Sequence, residues 1–263
     1  MHVFVWNRRF LLHADPYVMD RRDQPYRRLS ATVIVAHAGH FSLAVDGGAV
    51  TRHEAAIVAC NVRRDYIEAP SGGISIFDAG ISTEAFLRLA PQVAPAAVRP
   101  LTADAAARLR ELLARQPPSQ ATAEQARRLY DAAVDTACEL PMPPLQRDPR
   151  ILQLMATIEQ LPLDARPQRQ VARAAGLSDS RLRALFRQHL GCSMSQYLRW
   201  VTAWKAVALW RRGVSLTEVA HAAGFYDLSH ADRVAREITG MSPSALIDPR
   251  KVRLLIGDDF SRP

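Results

Sequence analysis

The chain has 263 residues, 48% of them apolar, which is enough to bury the cores of two modest domains or one large one. It has no run of 18 uncharged apolar residues, so a membrane-spanning helix is excluded. The opening MHVFVWNRRF lacks the basic-then-apolar order of a secretory signal, and three well-separated cysteines (Cys60, Cys138, Cys192) do not suggest a disulfide framework, so a reducing cytoplasm is expected. The formal net charge of +8 is carried by one segment: Arg150 to Arg253 holds 16 Lys+Arg against 8 Asp+Glu, and the rest of the chain balances. A localised basic excess points to a polyanion, nucleic acid before membrane surface.

Residues 1–95 read as β-rich. Short runs of Val, Ile, Phe and Leu alternate with turn residues in ATVIVAHAGHFSLAVDGGAVTRHEAAIVACNV, and Asp46-Gly47-Gly48 between two such runs is a hairpin signal. Pro70, Gly72 and Gly73 precede a further apolar run, ISIFDAG. Several short strands at regular spacing predict a small β-barrel or sandwich.

Residues 96–140 read as a helical hairpin. Thr102 caps a helix with the stripe Ala105, Leu109, Leu112, Leu113, Pro117-Pro118 ends it, and a second helix runs from Thr122 with Ala126, Leu129, Ala133, Ala137 on one face. Its position between two larger units predicts a homodimer interface within 101–140. Four prolines in PMPPLQRDP make 141–149 a semi-rigid linker.

Residues 150–250 read as all-α, with 251–263 as a tail. Ser215-Leu216-Thr217-Glu218 is a capping box, Ser242-Pro243 places Pro at a first helical position, and Ser193 follows a Gly191-Cys192 turn. Within this segment VARAAGLSDSRLRALF (171–186) is echoed by VAHAAGFYDLSHADRVA (219–235). Each copy reads as helix, glycine turn at Gly176 or Gly224, helix. In the first, Leu182, Leu185, Phe186 and Leu190 share one face, while Ser180, Arg181, Ala184, Arg187 and Gln188 share the other, with Arg183 on its flank. Guanidinium, amide and methyl groups along an exposed helix suit the edges of bases in a major groove. In the second copy Ala231, Val234, Ala235 and Ile238 face inward, and Ser229, His230, Arg233, Arg236 and Glu237 face out. Two reading helices in one chain can span successive major grooves about 34 Å apart.

On these residues, VARAAGLSDSRLRALFRQHLGCSMSQYL and LTEVAHAAGFYDLSHADRVAREITGMSP, the segment 150–250 resembles the DNA-binding domain of the AraC family of bacterial transcription regulators. The resemblance implies an α+β multidomain chain. Its parts would be an N-terminal small cupin-like β-barrel that holds an effector, helices that dimerise, and a seven-helix C-terminal domain with two helix-turn-helix motifs. It implies double-stranded DNA as partner, a small-molecule effector, and transcription activation or repression, with RNA polymerase held open as a further partner. Carried over, the base contacts are Ser180, Arg181, Arg183, Ala184 and Arg187 in the first motif and Ser229, His230 and Arg233 in the second. Arg169, Arg173, Lys205 and Arg236 are the phosphate contacts. The chain departs from the family where Ala231 and Ala235 stand in place of Phe, Thr239 in place of a further Phe, Ile238 in place of a basic residue, and Thr202 in place of an Arg. Two such losses leave space, which Trp200, Trp204 and Trp210, with Val234 and Ile238, are expected to refill.

Catalytic and metal chemistry is not expected. HAGHFSLAVDGGAVTRHE lacks the two histidines one residue apart that a metal-binding cupin uses, although His37, His40, His53 and Glu54 all lie there. Cys60 reads as a buried strand cysteine rather than a nucleophile. No phosphate loop or nucleophile–base set stands out, so no cofactor and no enzyme activity are expected. The alternative from another class is a cupin-type metal enzyme with a basic helical appendage. A third reading is an architectural DNA binder indifferent to sequence.

Overall fold

The computed structural model describes residues 1–18, 25–70, 72–160, 167–210 and 213–257. In chain order the first part holds β1 (His2–Trp6), β2 (Arg9–Ala14), β3 (Tyr17–Val18), β4 (Tyr26–Arg27), β5 (Ser30–Ala36), β6 (Phe41–Val45), β7 (Thr51–His53), β8 (Ala55–Val58), β9 (Arg63–Ala69), β10 (Ile74–Gly80), α1 (Glu84–Val93) and β11 (Val98–Pro100). Asp46 and Gly47, both at positive φ, turn β6 into β7, and Gly48 N–H closes the turn on the Val45 carbonyl at 2.9 Å. This is the hairpin that Asp-Gly-Gly predicts.

The strands form two sheets. One has seven strands in the order β11-β8-β5-β10-β2-β1-β12, where β12 is Arg253–Ile256. The other runs β3-β9-β6-β7, with β4 beside β9. The two sheets face each other across an apolar layer that includes Leu12, Ile34, Phe41, Leu43, Ile67 and Ile76. They do not close on one another among the described residues, so the expected small barrel is instead a pair of open sheets. The physical reason lies in the edges: β11 and β12 extend the larger sheet at both ends with segments outside residues 1–95.

The larger sheet is buried on both faces, and β5 and β10 are buried along their whole length. Its second face, with Phe4, Leu11, Val33, Ile57 and Phe77, packs under helices. These are α1, α2 (Ala103–Arg115) and α3 (Ala123–Ala137); Thr102 caps α2 as read, and Thr122 caps α3 in a capping box with Gln125. Leu109, Leu113, Leu129, Tyr130 and Val134 lie in that core, and the Tyr130 hydroxyl donates to the Asp78 carbonyl at 3.1 Å. The apolar stripe that suggested a dimer seam is therefore occupied within the chain.

Beyond the proline-rich 141–148 stand seven helices among the described residues. They are α4 (Pro149–Gln160), α5 (Pro167–Ala174), α6 (Asp179–Leu190), α7 (Met194–Leu209), α8 (Leu216–Ala223), α9 (Leu228–Thr239) and α10 (Pro243–Ile247). The chain then returns to the first sheet. Residues 253–256, read as tail, pair in parallel with β1 from His2↔Arg253 to Val5↔Ile256, and the Met1 amine donates to the Lys251 carbonyl. Gly240, at φ +76°, ends α9 against the ring of Tyr26 on β4, where a Cβ would come within 2.8 Å of the ring.

A histidine group lies on the helix-covered side of this sheet. His13 Nδ1 and His37 Nε2 both meet Ser75 Oγ, at 3.0 and 2.9 Å, and the two rings stack with centroids 4.4 Å apart. Burial, then the adjacent His37, pushes His13 down to about 4, and burial lowers His37 and His2 as well.

Two outcomes follow from this packing. Gly240→Ala combines a left-handed φ with a clash on Tyr26, and denaturant titration should show a loss of more than about 1 kcal/mol. The unfolded chain protonates His13 near pH 6.5 while the folded chain resists until about pH 4, so stability is lost as pH falls through that window. Melting curves taken between pH 7 and 4 should show this decline, and His13→Gln should flatten it.

Candidate nucleic-acid interface and the cavity behind it

The sequence repeat is a repeat of backbone hydrogen bonds. At the first turn Leu177 N–H reaches the Ala172 carbonyl and Gly176 N–H the Arg173 carbonyl. At the second, Phe225 N–H reaches Ala220 and Gly224 N–H reaches His221. Both glycines sit at positive φ, as the turn requires. The following helices start on side-chain caps: Ser178 accepts from Arg181 N–H and Asp227 from His230 N–H.

On α6, Leu182, Leu185, Phe186 and Leu190 are buried, while Ser180, Arg181, Arg183, Ala184 and Arg187 are all exposed. Arg183 Nε donates back to the Asp179 carbonyl at 3.1 Å, which steadies the base of its side chain along the helix. On α9, Ser229 and Arg233 are exposed and His230 is half-buried. The His230 ring meets Phe225 edge to face at 5.4 Å, and its Nδ1 accepts from Tyr226 N–H at 3.4 Å, which leaves Nε2 to carry the proton of the neutral ring. His230 thus braces the turn as well as facing outward. Tyr226, 85% exposed in that same turn, was not singled out from sequence, although an aromatic between the helices of such a motif was visible in GFYD.

The four residues expected on phosphate fall in different places. Arg173 is exposed at the end of α5. Arg236 pairs with Asp232 at 2.8 Å on α9. Arg169 stands on α5, but its side chain lies outside the described residues. Lys205 is half-buried near Arg8 and Glu159, which pair at 2.6 Å, and burial followed by Arg8 lowers its pKa. It stands where α7 meets the β1–β2 turn.

Behind α9 lies an apolar cavity of about 200 Å³. Val3, Val5, Phe10 and Leu12 form one wall with Leu254 and Ile256 of β12; α7 to α10 form the other. The second sheet covers part of this face of the larger sheet; where Val3, Val5, Leu12, Leu254 and Ile256 line the cavity, the second helix-turn-helix motif lies over it. Trp200, Trp204 and Trp210 all line the cavity, Trp200 buried and the other two half-buried. The indoles therefore fill part of the space under Ala231 and Ala235 and leave the rest open.

The cavity has one polar corner, formed by Arg28, Ser30, Asp78 and Thr239. Asp78 Oδ2 accepts from Ser30 and Thr32 hydroxyls at 2.8 and 2.9 Å and from Arg28 Nη1 at 3.3 Å. Arg28 also reaches the Thr239 carbonyl at the end of α9, at 3.5 Å, and its guanidinium lies over the rings of Phe10 and Tyr26. Behind it Arg64, fully buried, donates to Thr32 Oγ1 at 2.7 Å, and burial lowers its pKa. Two buried guanidinium groups thus share a single buried carboxylate, and the corner is net positive.

The cysteines have no nucleophile's setting. Burial pushes the Cys60 and Cys138 thiols up and Cys192 up to about 12, so all three stay protonated near neutral pH. No group of three or more His, Cys, Asp or Glu able to hold a metal ion occurs among the described residues. None of their helices is long and apolar enough to cross a membrane.

Comparison with solved structures finds the same overall fold in ToxT from Vibrio cholerae. ToxT from strain O395 aligns at 10% identity with a TM-score of 0.55, over 90% of this chain and 94% of that one. Apo ToxT K231A aligns at 10% identity with a TM-score of 0.58, over 90% and 96%. Wild-type ToxT bound to an unsaturated fatty acid aligns at 9% identity with a TM-score of 0.54, over 90% and 92%. No curated protein matches the sequence. Residues 171–248 match the family described as a helix-turn-helix domain, a span that contains both copies of the repeat. The match identifies this segment as a helix-turn-helix domain, in keeping with the resemblance of its sequence to AraC-family regulators.

Proposed function

We propose that the protein is a sequence-specific DNA-binding transcription regulator that reads two major-groove segments from one chain and answers to an amphipathic small molecule. The observation that carries the DNA reading is the repeated, capped helix-turn-helix whose first reading helix exposes Ser180, Arg181, Arg183, Ala184 and Arg187 side by side. Arg and Ala on such a face address guanine edges and thymine methyls. Ser229, His230 and Arg233 are the contacts we assign to the second helix, with Arg173 and Arg236 on phosphate. Because both helices belong to one chain, the reading does not need a dimer. A homodimer through 101–140 would have to use the polar outer faces of α2 and α3, and RNA polymerase would have to meet a surface that leaves both reading helices free.

We place the effector in the cavity behind α9 rather than inside a closed cupin-like barrel. An engineered cavity of about 150 Å³ with apolar walls binds benzene, so about 200 Å³ suits a compact apolar body somewhat larger than one ring. The net positive corner at Arg28 favours an acidic head group on that body. ToxT, solved with an unsaturated fatty acid bound, has the same overall fold. A monocarboxylate with an apolar tail is therefore the ligand class that we assign. Decanoate, but not acetate, should raise the melting temperature.

Selection of genomic DNA fragments by the purified protein at about 150 mM salt tests the DNA reading. Two half-blocks about one helical turn apart, bound at least ~10³-fold better than scrambled DNA, are expected. A purely salt-dependent binder without a preferred site would instead be architectural, and turnover of a small molecule would favour the metal-enzyme alternative. Arg183→Ala should cost ~1–3 kcal/mol on the selected site and little on scrambled DNA. Arg173→Ala should weaken both alike and reduce the slope of log K against log salt by about one unit. Fluorescence anisotropy titrations at several salt concentrations separate the two.

A further inference from the structure

The two motifs rest on very different foundations. In the first, Leu182, Leu185, Phe186 and Leu190 belong to the main core cluster together with α4, α5 and α7. The second has its own small cluster of Ala220, Ala223, Phe225, Ala231 and Val234, three of them alanines. Aligned helix on helix, Ala231 stands where the first copy has Leu182, Ala235 where it has Phe186, and Thr239 where it has Leu190. The cavity lies directly under these shortened side chains. What holds the far end of α9 is the N-terminal part of the chain: Gly240 rests on Tyr26, and Arg28 donates to the Thr239 carbonyl.

We propose that the void beneath α9 is a regulatory element: whatever occupies it supplies the missing underside of the second reading helix and so sets that motif's grip on DNA. The proposal rests on the reading of this cavity as the effector site and adds what occupancy does. A helix that meets this space with Ala231 and Ala235 lacks part of the contacts that fix its position, because a void leaves its lining atoms without partners on one side. An apolar body in the cavity touches Ala231 and Ala235 on α9, the indoles of α7, and Leu12 and Leu254 of the sheet at once. It thereby ties the helix, its supporting helix and the sheet into one packed unit. The acidic head group reaches Arg28, the same side chain that holds the end of α9. Occupancy therefore acts on the second motif and leaves α6, with its own complete core, as it is.

The first motif supplies its own test. Ala235→Phe and Ala231→Leu install in the second copy the residues of the first, and fill the cavity from the helix side without any ligand. Binding is measured for a DNA with both half-blocks and for one with only the block read by α6, using the full chain with and without decanoate, and with 1-decanol as the neutral counterpart. For the unmodified chain, decanoate should raise affinity for the two-block DNA relative to the one-block DNA by about tenfold, well within the usual range of coupling between sites. Ala235→Phe should show the raised ratio without ligand and no longer respond to it, and Ala231→Leu, a smaller change, should move the same way. An unchanged or lowered ratio in both variants, with melting temperatures at or above that of the unmodified chain, would overturn the proposal. If neither decanoate nor decanol shifts the melting temperature of the unmodified chain, the effector reading fails, and with it the claim that a ligand works through this void. The variants' ratio would still show separately whether filling it strengthens the second motif.

Discussion

The seven-stranded sheet is apolar on both of its faces, and each face has to be covered. One face takes the helices α1 to α3 and, through them, the core of the first helix-turn-helix motif. The other is covered by the smaller sheet only over part of its width. Each large apolar side chain left in water would cost about 1.5–3 kcal/mol, so the part of β1, β2 and β12 that the smaller sheet leaves uncovered needs a lid. The second motif is that lid. Its position follows from a shortage of sheet, and the cavity behind it follows from the alanines at 231 and 235 on the helix face turned toward the sheet.

The polar corner makes this arrangement more than a hydrophobic contact. Asp78 sits inside a strand that is otherwise buried, where a carboxylate is tolerated only with partners. Ser30, Thr32 and Arg28 supply them. Arg28 in turn donates from Nη2 to the Thr239 carbonyl at the end of α9. One side chain therefore belongs both to the charge balance of the sheet interior and to the seating of a reading helix, and a change in either is felt by the other. This is a local electrostatic coupling between two parts of the chain about 200 residues apart in sequence.

Much of the C-terminal helical region was legible because its signals are local. A serine or aspartate cap, a glycine turn and an apolar period lie within a dozen residues of one another, and Ser178, Ser193, Ser215 and Ser242 all cap as their spacing suggests. The Asp-Gly-Gly hairpin was legible for the same reason. What could not be read were partners distant in sequence. The periodicity of α2 and α3 shows which side is apolar but not what covers it, so an internal layer looked like a dimer seam. RLLI at 253–256 is too short to announce a strand, and nothing near it says that its neighbour is β1. The basic residues were legible by charge, but not that Arg173 stands exposed while Lys205 lies half-buried beside Arg8 and Glu159. The loss of large residues from the second copy was plain in the sequence; that it opens onto the sheet, and not onto solvent, was not.

That loss also bears on how one chain divides labour between two copies of a motif. A reading helix fixed by a complete core delivers its contacts in one geometry, and α6 is such a helix. A reading helix on an incomplete core shares its position with whatever lies beneath, and under α9 lie the N-terminal sheet, the strand that the chain's own end adds to it, and a space large enough for a small molecule. Recognition by the first copy can then stay constant while the contribution of the second varies. Filling the second core with Leu and Phe would give a steadier protein and close the space through which an occupant joins the N-terminal sheet to the second reading helix. The alanines are thus a loss to stability that the coupling itself requires.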